Sequence, residues 1–348
     1  MIGIRRYLFA LGRFVWSVLE TIGGYGQFAL SLLRSPHQLV RSWPDSGIAL
    51  GPRVALFVHF DAKGRVRPYV LTYVSMLQQC GFSVVFVTNS GRLREDSKAA
   101  LQPLCAGILI RRNIGYDFGA WREGLDFLKL PHGNTDMVLI ANDSVYGPLR
   151  PLDPILAQID FDKAELWGAT ESWQTRYHLQ SYFLIAGRTA VASDAWRKFW
   201  RQVRPVQSKE WVIKHYEVGL TQSLVRAGLH CAAIWRYAEL ITDVDPALMM
   251  NAKGDEALSI EPSIAARKSH AGRIRQGAVA RRPLNPTSDL WRQLLRAGYP
   301  FLKRQLLREN PTGVLDIAEW RDEVRSNIGV EPDLIDADLK EVLRDRAP

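Results

Sequence analysis

From Pro52 onward, short apolar runs bounded by turn residues alternate with stretches of helical apolar spacing, the pattern of strands and helices taking turns in an α/β domain. VALFVHF (54–60), SVVFVTN (83–89), GILIRR (107–112) and MVLIAND (137–143) read as four buried strands. RPYVLTYVSMLQQC (67–80) and DFGAWREGLDFLK (117–129) read as helices among them. This order predicts parallel pairing with right-handed crossovers, which brings the residues after each strand to one edge of the sheet, where a ligand belongs. ELWGATES (165–172) and HLQSYFLIAG (178–187) predict two more strands, helices follow over 193–204 and 217–227, and CAAIWRY (231–237) predicts a late strand. Between Ala252 and Pro283 the periodicity fades while Arg267, Lys268, Arg273, Arg275, Arg281 and Arg282 accumulate, as in a basic loop or lid. SDLWRQLLRAG (288–298) and FLKRQLLREN (301–310) are helical again.

The first 35 residues differ from the rest. A helix over residues 4–22, about 28 Å long, sets Arg6, Arg13, Ser17 and Glu20 on one stripe and Ile4, Leu8, Leu11, Val15, Val18 and Ile22 on the other side. Centring it in a bilayer would bury Arg13 and Glu20, at about 2.5–3.5 kcal/mol for a central charge. An amphipathic helix lying in the membrane surface is the cheaper arrangement. A core-packing helix pair broken at Gly23-Gly24 is the alternative, and no small-residue cleavage site marks a secretory signal.

With 348 residues and 47% hydrophobic side chains, the chain can bury a substantial core, which excludes wholesale disorder, collagen and coiled coil. The formal charge of +9 favours contact with phosphates. Cys80, Cys105 and Cys231 are odd in number and far apart, unlike a zinc or CxxC redox centre, and suit a reducing, cytosolic setting. No RNP, helix-turn-helix or zinc signature accompanies the basic charge, so no nucleic-acid partner is expected.

Candidate chemistry gathers at the strand ends. In ILIRRNIGYDFGAW, Asn113 can pair with base or ribose edges, Gly115 permits close backbone approach, and Asp117 either accepts from a ribose hydroxyl or caps the helix beside it. In MVLIANDSVYGPL, Asn142 and Asp143 leave the strand together; Asp143 either holds a ribose or a divalent ion, Mg or Mn, or closes an Asx turn. His59, Asp61, Thr88 and Asn89 end the first two strands as base or ribose contacts or as turn residues. His178 and Gln180 alternate along HLQSYF, facing a sugar or each other within the core. Trp173, Tyr182 and Trp211 offer stacking faces or fill core.

NIGYDFGAW, LIANDSVYGPL, HLQSYFLIAGR, EVGLTQ and NPTSDLWRQLLRAGYPFLKRQLLRENP, in this order over roughly residues 52–312, resemble the rhamnan synthesis protein F family of bacterial polysaccharide glycosyltransferases. The resemblance implies a GT-A-like fold, a mostly parallel sheet flanked by helices, with N-terminal amphipathic helices and a helical C-terminal region. It implies transfer of a deoxyhexose such as rhamnose from a nucleotide diphosphate donor to a cell-surface polysaccharide or O-antigen precursor. GT-A enzymes commonly carry a DXD motif here, whereas Ala141-Asn142-Asp143-Ser144 offers one carboxylate, which leaves Mg or Mn dependence open. Arg111, Arg112 and the basic stretch 267–282 are available to neutralise the leaving group instead. Glu217 resembles the position at which such enzymes present an acid to the acceptor, with Glu171 second; a first-turn glutamate and a solvated turn residue are the plainer alternatives.

Four regions are expected: an amphipathic, membrane-associating segment (1–45), a nucleotide-sugar domain (46–250), a basic loop or lid (251–284) and a helical extension (285–348). Asp143 and Glu217 are the expected catalytic residues, Asp143 also the expected metal ligand. The expected function is an inverting glycosyltransferase that moves a sugar, rhamnose, from a nucleotide diphosphate donor to a lipid-linked glycan at the cytoplasmic face of the membrane, and the alternative is a non-catalytic nucleotide-sugar or glycan-binding assembly protein.

Overall fold

A computed structural model describes residues 2–242 and 262–346, with side chains over 18–242 and 262–344. Eleven strands are formed among these residues: β1 (Leu39–Trp43), β2 (Arg53–His59), β3 (Ser83–Thr88), β4 (Gly107–Arg111), β5 (Met137–Asn142), β6 (Val145–Tyr146), β7 (Leu166–Ser172), β8 (His178–Leu179), β9 (Phe183–Gly187), β10 (Cys231–Trp235) and β11 (Leu302–Lys303). Nine of them build the main sheet in the order β1-β4-β3-β2-β5-β9-β7-β10, with β8 attached to β7. Strands β2 to β5 are parallel to one another, as their continuous apolar runs require when both faces are covered. The α/β class and the mostly parallel, helix-flanked sheet are as expected.

Side chains alternate between two core layers. Ala55 and Phe57 of β2 pack with the helix Pro68–Gln79 and the C-terminal helices, while Leu56 and Val58 pack with the helix Tyr116–Phe127. The chain runs outward from β2 through β3 to β4, then returns to place β5 on the other side of β2. That reversal opens a crevice at the carboxyl ends of β2 and β5, the switch point at which open α/β sheets bind ligands.

Several elements differ from expectation. The first helix runs unbroken over Ile2–Leu33, through Gly23-Gly24. Two helical glycines disfavour this by about 1 kcal/mol each, but Gly24 lets the helix close on Trp211, where a Cβ would come within 3.4 Å of the indole. Phe28 stacks on the same ring at 4.9 Å. The segment 1–45 is not separate from the domain, because β1 adds an antiparallel edge strand to β4. HLQSYFLIAG divides into β8 and β9, and β9 lies antiparallel between β5 and β7.

The basic stretch is mostly not a loop where it is described: Pro262–Val279 is a helix, with His270, Ala271, Ile274 and Gly277 buried at helical spacing, and only the end, with Arg281 and Arg282, is turn and loop. Two of the helix's arginines are engaged, Arg267 with Glu319 at 2.5 Å and Arg273 with the carbonyl of Thr312 at 2.8 Å. Residues 252–261 lie outside the described residues. The expected helix over 301–310 instead begins as β11, paired antiparallel with β6, and turns helical only over Arg304–Arg308. Among the described residues, no helix is long and apolar enough to cross a membrane.

Candidate functional site

A cavity of about 630 Å³ lies at the carboxyl edge of the sheet. Four acids line it: Asp117 from the first turn of helix Tyr116–Phe127, Asp143 from the turn after β5, Glu217 from the end of a π-helical turn, Val212–Glu217, and Glu309 just past the short helix Arg304–Arg308. The cations lining it are Lys209, at the start of the short helix Lys209–Trp211, and Lys303, Arg304 and Arg308, delivered by β11 and the short helix that follows.

Gly115 sets the entry of Asp117. Its φ of 89° lies in the left-handed region, and an added Cβ would come within 2.8 Å of the Pro205 backbone. Asp117 caps nothing; its carboxylate accepts from Asn142 Nδ2 at 2.7 Å across the cavity floor. Burial, and then the neighbouring Asp143, push the Asp117 carboxyl up to about 6. The Asx turn belongs to Asn142, whose Oδ1 accepts the Ser144 N–H at 3.1 Å. This frees Asp143 to accept from Arg304 at 2.7 Å.

Arg304 donates to the Asp143 backbone carbonyl as well and lies over the Tyr69 ring, 5.2 Å from its centroid. Burial is the strongest single influence and works against its charge, but Asp143 together with Tyr69, Tyr146 and Asp338 outweighs it and holds the guanidinium protonated. Lys303 donates to Ser144 Oγ at 3.2 Å, with its pKa lowered by burial while Glu217 and Asp117 pull it back up. Arg308 is steadied by Asp338 at 2.5 Å and by the Tyr146 hydroxyl at 3.0 Å. Glu217 accepts both the N–H and the O–H of Ser181 on Oε1, each at 2.8 Å. Oε2 accepts no hydrogen bond among the described residues.

Asp117, Asn142, Asp143, Gln180 and Glu217 therefore meet in one cavity, and Tyr182 lines it too. The other candidates do not line it. His59 is buried against Thr88 Oγ1 at 3.2 Å, with its pKa lowered chiefly by burial. Thr88 in turn donates to Ser90 Oγ at 2.8 Å, and Asp61 staples its own loop by accepting from the N–H groups of Lys63 and Arg65. Asn89 accepts from Arg111. Asn113 is exposed, and its carbonyl accepts from Gln207 at 2.7 Å. His178 is buried against the Arg176 carbonyl at 2.8 Å, so it parts from Gln180, which bonds Thr170 at 2.8 Å. Glu171 accepts the Tyr237 N–H at 3.0 Å, facing a second hollow. Trp173 lines that hollow, and Trp211 packs against the first helix.

Arg111 is not a ligand cation: it is 1% exposed and bound to Glu123 at 2.8 Å, where it ties β4 to the helix beside it. Arg112 is exposed and lines neither hollow. Apart from Lys209, the cavity's cations come instead from residues 303–308, which helical spacing obscured. Their signal was the run of Lys303, Arg304 and Arg308 within an otherwise apolar block. Phe60 and Tyr116, exposed at 45% and 38% beside the cavity, are further lining residues that sequence reasoning passed over. An exposed aromatic directly after a strand, or opening a helix at the ligand edge, was the available cue.

A Mg or Mn ion bound here would compete with existing partners for its oxygen ligands. Such ions need several oxygen ligands, yet Asp143 is bonded to Arg304 and Asp117 to Asn142. Among the described residues, no three His, Cys, Asp or Glu side chains gather in one cluster. What the cavity offers is an anion cradle of fixed cations beside a carboxylate with a free oxygen.

Comparison with known proteins places this geometry in a lineage. The model of the rhamnan synthesis protein F family matches residues 84–247. The virulence protein VirA of Vibrio anguillarum is 30% identical over 257 residues, covering 73% of this chain and 78% of VirA. An uncharacterized protein, y4gN, of Sinorhizobium fredii is 26% identical over 54% of this chain and 50% of its own. Among solved structures, the glycosyltransferase GlyE of Streptococcus pneumoniae TIGR4 aligns at 14% identity with a TM-score of 0.33, over 53% of this chain and 45% of GlyE. The family match spans β3 to β10 and so contains Asp117, Asp143 and Glu217; with the extended identity to VirA, it shows that the chain belongs to the rhamnan synthesis protein F family.

Proposed function

We propose that the protein is a glycosyltransferase that moves a sugar, rhamnose in the first instance, from a nucleotide diphosphate donor to a lipid-linked glycan. The observation that carries this reading is the meeting of Glu217 with Lys303, Arg304 and Arg308 in one cavity at the sheet's carboxyl edge. In this reading Arg304, Arg308 and Lys303 hold the donor diphosphate in place of a divalent cation. Phe60 and Tyr116 offer faces for the base, and Asp117 and Asn142 take hydroxyls of the ribose or sugar.

Transfer proceeds by a single displacement. Glu217 Oε2 takes the proton of the acceptor hydroxyl, and the hydroxyl oxygen bonds to the anomeric carbon from the face opposite the diphosphate. The carbon–oxygen bond to the diphosphate breaks, and the nucleoside diphosphate leaves with its charge met by the cationic side chains. The anomeric configuration inverts. Ser181 holds Glu217 in place through Oε1, leaving the other oxygen to react. Peripheral attachment to the inner face of the cytoplasmic membrane, through the first helix, brings the site to a lipid-borne acceptor.

A thermal-shift screen of nucleotide diphosphate sugars, with and without Mg or Mn, tests this reading through stabilisation by mass action. One donor is expected to raise the melting temperature with or without added metal, and Lys303→Met is expected to abolish the rise. Glu217→Gln should keep the rise and lose transfer. A protein that gives the rise but no transfer or hydrolysis would instead be a non-catalytic assembly protein, and no rise with any donor would overturn nucleotide-sugar binding.

A further inference from the structure

A second hollow, of about 820 Å³, lies at the far edge of the sheet, between β10, the turn after β7, and the helices Tyr237–Thr242 and Pro262–Val279. Its volume falls in the range of about 300–1,000 Å³ that small-molecule sites occupy, and no role assigned above uses it. Trp167, Trp173, Tyr177 and Tyr237 are among its walls. Trp173 is 49% exposed, with its ring 5.0 Å from that of Tyr177.

Charge around this apolar hollow is one-sided. Lys163, Arg236, Arg281 and Arg282 line it against a single acid, Glu171, whose Oε1 already accepts the Tyr237 N–H. Lys163 and Arg236 pair with Asp160 and Glu239. Arg281 and Arg282, just beyond the end of helix Pro262–Val279, have no ion-pair partner among the described residues. Aromatic walls, with two guanidiniums beside them that have no ion-pair partner among the described residues, match a ligand that is apolar along its length and anionic at one end.

The hollow also adjoins the site. Pro283 lines the hollow, Asn285 lines the catalytic cavity, and Leu284 between them donates its N–H to the Tyr237 hydroxyl at 2.8 Å. On β7, Glu171 faces the hollow, while the preceding Thr170 bonds Gln180 of the cavity. One short segment and one strand thus separate the two spaces.

We propose that this hollow is the acceptor's lipid-phosphate site, holding the apolar chain against Trp167, Trp173 and Tyr237, with the phosphate on Arg281 and Arg282. The proposal rests on the transferase reading and deepens it by giving the lipid-linked acceptor a place to bind. Bound there, the phosphate end lies beside segment 283–285, whose Asn285 lines the cavity that holds Glu217.

Calorimetric titration of the full chain with dodecyl phosphate, below its micelle concentration, tests this against dodecanol and inorganic phosphate. Dodecyl phosphate is expected to bind about ten-fold more tightly, or better, than either control. A variant carrying Arg281→Ala and Arg282→Ala should lose about ten-fold in affinity or more. Ala278→Trp, at an exposed position lining the hollow, should block binding without disturbing the core. The donor-induced melting rise is measured on the same proteins. If the rise persists while dodecyl phosphate fails to bind, or binds all variants alike, the lipid site is overturned and the transferase reading stands. Variant-sensitive lipid binding with no donor rise in the unaltered chain supports the lipid-phosphate site and removes the transferase reading.

Discussion

Asp117 shows most directly how the site is set against the stability of the chain. Burial, and then Asp143, raise its carboxyl from the ordinary 3.8 to about 6. The folded chain therefore holds this proton more tightly than the unfolded chain, and Asp117 costs stability progressively as pH rises through that window. Asp117→Asn should remove the loss while keeping an acceptor for Asn142. Urea unfolding is expected to show the variant gaining on the parent between pH 4 and 6, to a plateau on the order of 2–3 kcal/mol. A difference that does not vary with pH would contradict this. Arg111→Ala is expected to behave in the opposite way: removing one member of a buried pair should cost about 3–5 kcal/mol, read by the same unfolding at neutral pH. Asp117, Asp143 and Glu217 were all legible as acids at strand ends or helix starts. The pairing of Asp143 with Arg304 was not, since the two are 161 residues apart and no local pattern links them.

The helix Tyr116–Phe127 and the segment 301–308 illustrate what an element's own residues encode. Gly115 was readable as a turn glycine, and the structure adds the reason: a left-handed φ together with the close approach of Pro205. Gly115→Ala should therefore cost about 1–3 kcal/mol and displace Asp117, checked by unfolding and by a weakened donor-induced melting rise. In FLKRQLLREN the leucines at 302, 306 and 307 suit a helix, and the segment was read so. Two residues pair with β6 instead, and the helix starts late, at Arg304. The offset matters because it sends Lys303 and Arg304 together into the cavity. Helix Pro262–Val279 was missed for a related reason: its arginines conceal a narrow buried stripe that exists only once helices from the C-terminal region pack against it.

For the molecule as a whole, the reversal of strand order at β2 and β5 makes the crevice, and the C-terminal region closes it with cations. The first helix is held through Tyr25 and Phe28 against Trp211, while Leu19 and Ile22 point outward, 58% and 62% exposed. If this face meets anionic membrane, Leu19→Asp with Ile22→Asp should abolish co-sedimentation with anionic vesicles and leave the melting temperature unchanged, because neither residue is packed. Unchanged co-sedimentation would remove the helix from membrane contact.

Apolar runs and their spacing were enough to establish a mostly parallel α/β sheet and to put Asp117 and Asp143 at its ligand edge, since burial on two faces leaves a mark in neighbouring residues, whereas Glu217 was singled out through the family resemblance. Long-range packing settled which charges meet. It withdrew His59, Asp61, Thr88, Asn89, Asn113, Glu171 and His178 from the cavity and brought Lys303, Arg304 and Arg308 into it. A side chain's partners depend on which distant segments fold against it, and periodicity along the chain carries no record of that.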